Sequence, residues 1–232
     1  MNKKKHLISV EEATSIILGE VENFGTEEVS FDKSLGRILK EDIKADREMP
    51  PFNRVSMDGI ALKTAVFEAG KRQFKIEGVQ AAGKEQLTLI NEENCLEAMT
   101  GAMLPIGTNA VIPYELISID NNLATVNIDA IKHFQNIHKQ GLDRKKNELL
   151  IPKNFRISSA EVGVLATVGK SKVKVAKNPK IAIISTGDEL VEADQTPQPY
   201  QIRKSNVHSL VALLKEAGIE SDAYHLPDKS QL

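Results

Sequence analysis

Four short stretches of this 232-residue chain carry acids, hydroxyls and glycines where packing asks for none of them. Asp58, in Ser56-Met57-Asp58-Gly59, is an isolated carboxylate in a polar turn. The glycine lets the backbone turn tightly and leaves the acid facing outward, while Met57 and residues 60–62 are apolar enough to bury. Asp-Gly is also a common turn dipeptide, so taken alone the pair is only a bend. Thr186-Gly187-Asp188-Glu189-Leu190 follows an apolar strand directly, where doubly wound folds place their ligands. Gly187 permits close backbone approach, and Asp188 with Glu189 offers hard oxygen ligands suited to Mg²⁺. A helix cap beside a solvated acid pair is the plainer reading of the same residues. Met99-Thr100-Gly101-Ala102 sets a hydroxyl at a turn, and His138-Lys139-Gln140-Gly141-Leu142-Asp143 closes a basic stretch on an acid.

The composition narrows the classes these residues can serve. With 41% hydrophobic and 27% charged residues the chain can bury a real core. Thirty basic against 32 acidic side chains leave a net charge of -2, so no broad field favours nucleic acid or anionic lipid. With 4% aromatic residues and no tryptophan there is little for bases to stack on. Met1-Asn2-Lys3-Lys4-Lys5 is charged with no apolar run behind it, and no stretch of about 18 apolar residues occurs, which predicts a soluble protein that is neither exported nor membrane-spanning. The single Cys95 excludes an internal disulfide and fits a reducing cytoplasm, with burial as its default role.

The elements that must position these groups follow from periodicity and punctuation. Ser9-Val10-Glu11-Glu12 opens a capped helix with Val10, Ala13, Ile17, Val21 and Phe24 on one face and Gly25 to end it. Residues 26–46 read as a return strand and a turn of helix. From 51 to 133 the pattern changes to short β-like runs at 74–76, 87–90, 110–113, 116–119 and 123–128, with Asn121-Asn122 as a hairpin turn. Ser158 to Glu161 caps a second helix through 168, and 171–176 alternates like a strand. Residues 180–185, 206–217 and 219–226 then read as β-α-β with a right-handed crossover. The loop between, 186–204, is long enough to suggest function. Two parallel strands with one helix leave a ladder edge and apolar surface open, so the chain reads as the front part of a longer protein or one completed by a partner.

The stretch Pro50-Pro51-Phe52-Asn53-Arg54-Val55-Ser56-Met57-Asp58-Gly59-Ile60-Ala61 resembles the P-x-F-(D/N)-N-S-x-M-D-G-(Y/F)-A signature of the MoeA family, the molybdopterin molybdenumtransferases related to the E domain of gephyrin. Arg54 and Val55 stand where that pattern has Asn and Ser, and Ile60 where it has an aromatic residue. Met99 to Val111 resembles the family's T-G-A-x-(L/V)-P-x-G segment. His133 to Asp143, ending Ile137-His138-Lys139-Gln140-Gly141-Leu142-Asp143, resembles N-(I/V)-R-x-x-G-x-D with His138 in place of the arginine, which removes a fixed fork of donors. Ser185 to Leu190 resembles the S-T-G-D-E-L segment shared with the MogA molybdopterin-binding fold, and Gln201 to Asn206 a further motif in which Lys204 replaces a polar or acidic residue.

The resemblance implies a mixed α/β multidomain chain. It gives a helix-plus-strand dimerisation domain from 1–50 and 134–178, an inserted β-rich module over 51–133, and the start of a MogA-like doubly wound α/β domain over 179–232. It implies insertion of molybdenum from molybdate into adenylylated molybdopterin with release of AMP, in the cytoplasm. Asp58, Thr100, Asp143, Glu189 and Asp228 are then catalytic, with Thr100 a contact to the anionic ligand and Asp143 and Asp228 ordering the cleft electrostatically. Ser185, Thr186, Gly187, Ser205 and Asn206 hold the pterin nucleotide, and Asp188 with Glu189 binds Mg²⁺. The same resemblance implies a homodimer with a site shared between subunits, and exchange with a MogA-type adenylyltransferase and molybdoenzyme apoproteins. The family's glycine-rich Gly-Gly-Val-Ser loop and its Lys-Pro-Gly-Lys-Pro segment are not in the sequence, so the chain alone is expected not to turn over. The alternatives are a molybdopterin-binding scaffold without catalysis, and a generic Mg²⁺-dependent phosphate-ester enzyme that leaves the β-module motifs unexplained.

Overall fold

A computed structural model describes residues 8–228, so the charged run Met1–Leu7 lies outside the described residues. The chain is mixed α/β and divides into two compact units, one of Met1–Asp42 with Ile151–Leu232 and one of Ile43–Leu150.

The second unit is built on a six-stranded sheet in the order Ala110–Pro113, Gly59–Leu62, Cys95–Ala98, Gln73–Gln80, Leu123–Val126, Ile117–Asp120. Gln73–Gln80 and Cys95–Ala98 run parallel, with a register shift between Ile76 and Val79, and the other neighbours are antiparallel. Strand alternation sends Ile60 and Leu62 to a core with Phe67, Phe74, Ile76, Cys95 and Ile112, and Ala61 to a smaller one with Val55, Leu104 and Val111. Asn121 and Asn122 both take positive φ, 48° and 64°, the geometry a two-residue hairpin needs to match strand twist. The β-rich stretch 51–133 lies inside this unit. Residues 43–50 and 134–150 belong to it as well, since Arg54–Val55 pairs with Ile137–His138 and the Ala45 N–H donates to the Glu148 carbonyl.

Some elements differ from the expectation. Residues 87–90 form no strand; Thr88 makes only an isolated bridge to Ile106. Gly59–Leu62 and Cys95–Ala98 are strands that the pattern concealed, because the first is buried on both faces and shows no alternation, while the second has no β-branched residue. Met57 is 42% exposed, whereas Ile60, Ala61 and Leu62 are fully buried. Cys95 is buried, and burial pushes its thiol up to about 12. Because the thiolate is the nucleophile, the native protein is expected to resist iodoacetamide at pH 8 while the urea-unfolded chain reacts. Equal labelling in both states would show that this sheet opens.

In the first unit Thr26–Ser30 pairs antiparallel with Lys172–Ala176, setting Val29 opposite Val173. The helix Ser159–Thr167 carries the full capping box, with Ser158 and Glu161 exchanging bonds. The first helix is shorter than its apolar pattern. It runs Val10–Gly19, Ser9 accepts the Glu12 N–H at 3.1 Å, and Val21 and Phe24 lie beyond its end. Gly19 is a weak helix interior residue, and Asn23 turns the chain by accepting the Gly25 N–H at 2.9 Å. None of this helix is buried. Ile181–Thr186 and Ser221–Leu226 pair in parallel with Asn206–Glu216 packed on both, the expected β-α-β. The long loop is shortened by a pair of two-residue strands, Leu190–Val191 parallel to Ile202–Arg203. Among the described residues no helix is long and apolar enough to cross a membrane.

Candidate functional site

In the second unit the turn before Gly59–Leu62 and the loop after Cys95–Ala98 meet. The Val55 N–H donates to the Ala102 carbonyl and the Gly101 N–H to the Val55 carbonyl, both at 2.9 Å, so the 99–103 loop is laid along Arg54–Val55. Gly101 takes φ +85°, which lets the loop fold back. Thr100 is thereby turned onto Asp58. Its backbone N–H and its hydroxyl both donate to Asp58 Oδ1, at 2.6 and 2.7 Å. The Thr100 N–H first, and its hydroxyl second, hold the Asp58 carboxyl below the usual range, so this exposed acid is ionised at neutral pH. Its second oxygen stays available to a ligand or a transferred proton.

Two neighbours of Asp58 escaped the sequence reading. The Tyr114 N–H donates to the Asp58 carbonyl at 3.1 Å. Its phenol is pushed up to about 12, by burial first and then by the Glu97 charge. Glu97 reaches this corner only through the register that sets it opposite Ile60. Nothing local to either residue signals that placement.

Asp143 lies in a second cluster of the same unit. The 138–143 loop is tied to 49–53: the Gly141 N–H donates to the Pro50 carbonyl and the Asp143 N–H to that of Met49, both at 2.9 Å, and the Gln140 N–H to Asn53 Oδ1 at 2.9 Å. His138 Nε2 lies 2.8 Å from Asp143 Oδ1, and Arg54 Nη2 lies 3.3 Å from His138 Nδ1.

The remaining expected residues lie in the first unit, at the carboxyl ends of its parallel strands. Gly187 follows Ile181–Thr186 at φ +125°, and a side chain there would run into the Glu189 carboxylate. Ser185 makes a 3.0 Å contact with His225 Nδ1 across the parallel pair, and Thr186 is exposed. Asp188 Oδ1 accepts the Asp228 N–H at 3.1 Å, so Asp228 meets Asp188 through its backbone. Ser205 caps Asn206–Glu216 without a side-chain bond, leaving the first-turn amides of that helix without a capping oxygen. Lys204 is bound to Glu192 at 2.5 Å. Among the described residues no group of three or more histidine, cysteine or acidic side chains converges on a point that would hold a metal. Asp188 and Glu189 supply two hard carboxylates in one turn, which fits a magnesium ion that keeps waters and takes substrate phosphate oxygens, not a cage made of protein alone.

Residues 8–169 match the family model of the MoeA N-terminal region (domain I and II). The chain is 38% identical over 228 residues to a molybdopterin molybdenumtransferase of Synechocystis sp., covering 97% of this chain and 58% of that protein. It is 34% identical to one of Staphylococcus epidermidis, covering 96% and 54%. Two solved structures of molybdopterin biosynthesis MoeA proteins from Pyrococcus horikoshii share its fold. One has a TM-score of 0.80 at 32% identity over 96% of this chain and 58% of the other. The second has a TM-score of 0.86 at 28% identity over 97% and 61%. The chain thus spans a little over half the length of the curated relatives it matches. The family model covers residues 8–169, well over half of the chain and including the joined Asp58 and Thr100, and the chain therefore belongs to the MoeA family.

Proposed function

We propose that the protein acts in molybdenum cofactor biosynthesis as a molybdopterin molybdenumtransferase, taking molybdenum from molybdate into adenylylated molybdopterin and releasing AMP. The observation that carries this reading is the Asp58–Thr100 pair. A carboxylate held ionised by two donors on one oxygen keeps the other free to accept a proton from an attacking water. Water added across the phosphoanhydride gives AMP and the phosphate end of the pterin. Thr100 fixes the carboxylate, so that the acceptor needs no reorganisation when charge moves.

In this reading the 43–150 unit supplies Asp58, Thr100 and Asp143, and the segment after 179 is the start of a MogA-like pterin-binding fold. Ser185, Thr186, Gly187, Ser205 and Asn206 are the residues proposed to hold the nucleotide and pterin, with Asp228 ordering the Asp188 turn. Asp188 and Glu189 would hold magnesium, which when bound offsets phosphate charge. A cytoplasmic homodimer belongs to the same reading, as does exchange with a MogA-type adenylyltransferase and molybdoenzyme apoproteins. Support for self-association comes from Val10, Ile16, Ile17, Leu18, Val21 and Phe24, all more than half exposed along one short segment.

The test is direct. Incubated with adenylylated molybdopterin, molybdate and Mg²⁺, the full-length protein is expected to release AMP in step with molybdenum incorporation and to sediment as a dimer. Molybdopterin binding with no AMP release would replace the enzyme by a scaffold.

A further inference from the structure

Arg54 sits directly across the strand pair from His138, and its guanidinium Nη2 approaches His138 Nδ1 at 3.3 Å, at the long end of a hydrogen bond. A guanidinium only donates, so Nδ1 accepts; the ring proton therefore belongs on Nε2, where Asp143 Oδ1 takes it at 2.8 Å. Both ends of the imidazole are thus assigned by their partners, and in this arrangement the ring is neutral. Asp143 is itself anchored through the Met49 carbonyl. Three residues on two segments are ordered to orient one guanidinium.

Among the described residues Arg54 makes no ion pair, whereas the neighbouring Arg144 and Lys145 reach Glu148 and Glu48. Lys139 is also engaged, its ammonium 4.3 Å from the Phe134 ring. An exposed arginine oriented by a neutral histidine, with the rest of its fork unpaired, is preorganised for an anion from outside. The fork also lies near the Asp58–Thr100 pair. Arg54 and Asp58 are four residues apart on one stretch, at most about 14 Å between Cα atoms, and the Thr100 loop is bonded to Val55 next to Arg54. That spacing is within the length of a phosphoanhydride-linked nucleotide.

We propose that Arg54 binds the phosphoanhydride of the substrate, with His138 and Asp143 as positioning residues. The guanidinium then comes from the 54 side of the strand pair, and His138 orients it without carrying the charge. This rests on the reading under Proposed function, because the anion invoked is that of an adenylylated pterin.

Pyrophosphate is the probe, measured calorimetrically on the full chain at fixed ionic strength. Arg54→Gln is expected to weaken pyrophosphate binding about tenfold or more, the worth of a charge-assisted bond. Arg54→Lys should recover part of the loss, since a point charge lacks the fork. The exchange Arg54→Asn with His138→Arg is expected to return affinity to within about threefold of the parent, because the guanidinium reappears across the pair. Thermal midpoints check that each variant folds. In the AMP-release assay Arg54→Gln should lower kcat/KM about tenfold or more. The proposal is overturned if the parent chain binds no pyrophosphate, if Arg54→Gln binds it as the parent does, or if the exchange stays as weak as Arg54→Gln. The two readings separate cleanly. Arg54-dependent pyrophosphate binding without AMP release removes the reaction and keeps Arg54; AMP release with an unchanged kcat/KM in Arg54→Gln removes Arg54 and keeps the reaction.

Discussion

Gly59→Ala is expected to destabilise the 43–150 unit by about 3 kcal/mol or more, far beyond the usual cost of an alanine. Gly59 starts a strand held between Cys95–Ala98 and Ala110–Pro113, opposite Ala98 on one side and Pro113 on the other. A Cβ there would lie 1.9 Å from the Ile112 carbonyl oxygen, 2.7 Å from its carbon and 2.9 Å from Pro113 Cα. All three are backbone atoms, so no rotamer change relieves the clash; the ladder must part. Gly78→Ala is the control, because its Cβ would meet only Leu96 Cδ2 at an ordinary 3.5 Å, and it should cost no more than about 1 kcal/mol. Urea unfolding followed by far-UV circular dichroism reads both, and amide exchange at Ile60 and Ala61 should quicken in Gly59→Ala alone. Equal midpoints for the two variants would mean that the strand relaxes around the methyl group. The glycine of the Asp-Gly pair thus answers to sheet spacing, since it starts a strand and is not among the glycines of positive φ.

The second large effect concerns chemistry. Asp58→Ala should lower kcat/KM for AMP release by about 10²- to 10³-fold, on the scale of removing an electrostatic group from a reacting centre. Asp58→Asn separates charge from geometry. Its amide oxygen can still accept both Thr100 donors, so the loop should keep its place, yet the loss of activity should match that of alanine. An active Asp58→Asn would mean that the aspartate only pins the 99–103 loop. Thr100→Val keeps the backbone bond and drops the hydroxyl, and about a tenfold loss is expected. The pH dependence has a definite sign. Since Thr100 lowers the folded-state pKa of Asp58, the linked stability is fully present above the unfolded aspartate value and is lost as pH falls through the lowered one. Any acid limb of activity due to Asp58 should therefore lie below the ordinary carboxylate range.

Local devices were readable in advance. The Ser158–Glu161 box spans four residues, the Asn121-Asn122 turn two, and the β-α-β segment announces itself by one apolar strand, one amphipathic helix and a second strand. The capped start of the first helix was equally plain, whereas its length was not, because an apolar face continuing to Phe24 does not oblige the backbone to stay helical past Gly19. The buried strand Gly59–Leu62 was concealed for the opposite reason: both faces are covered, so its residues carry no alternation to read.

By itself the sequence determined which residues could do chemistry and in which short turns they stand, since capping, turning and strand propensity act over a few residues and leave their mark on neighbours. Tertiary structure alone decided who meets whom. Thr100 reaches Asp58 across 42 residues and Arg54 reaches His138 across 84. Those meetings depend on strand register, which is set by the burial of whole faces and not by any property of the residues that meet. The same register brings Glu97 beside Tyr114 and sets the guanidinium of Arg54 against His138, oriented and, among the described residues, in no ion pair.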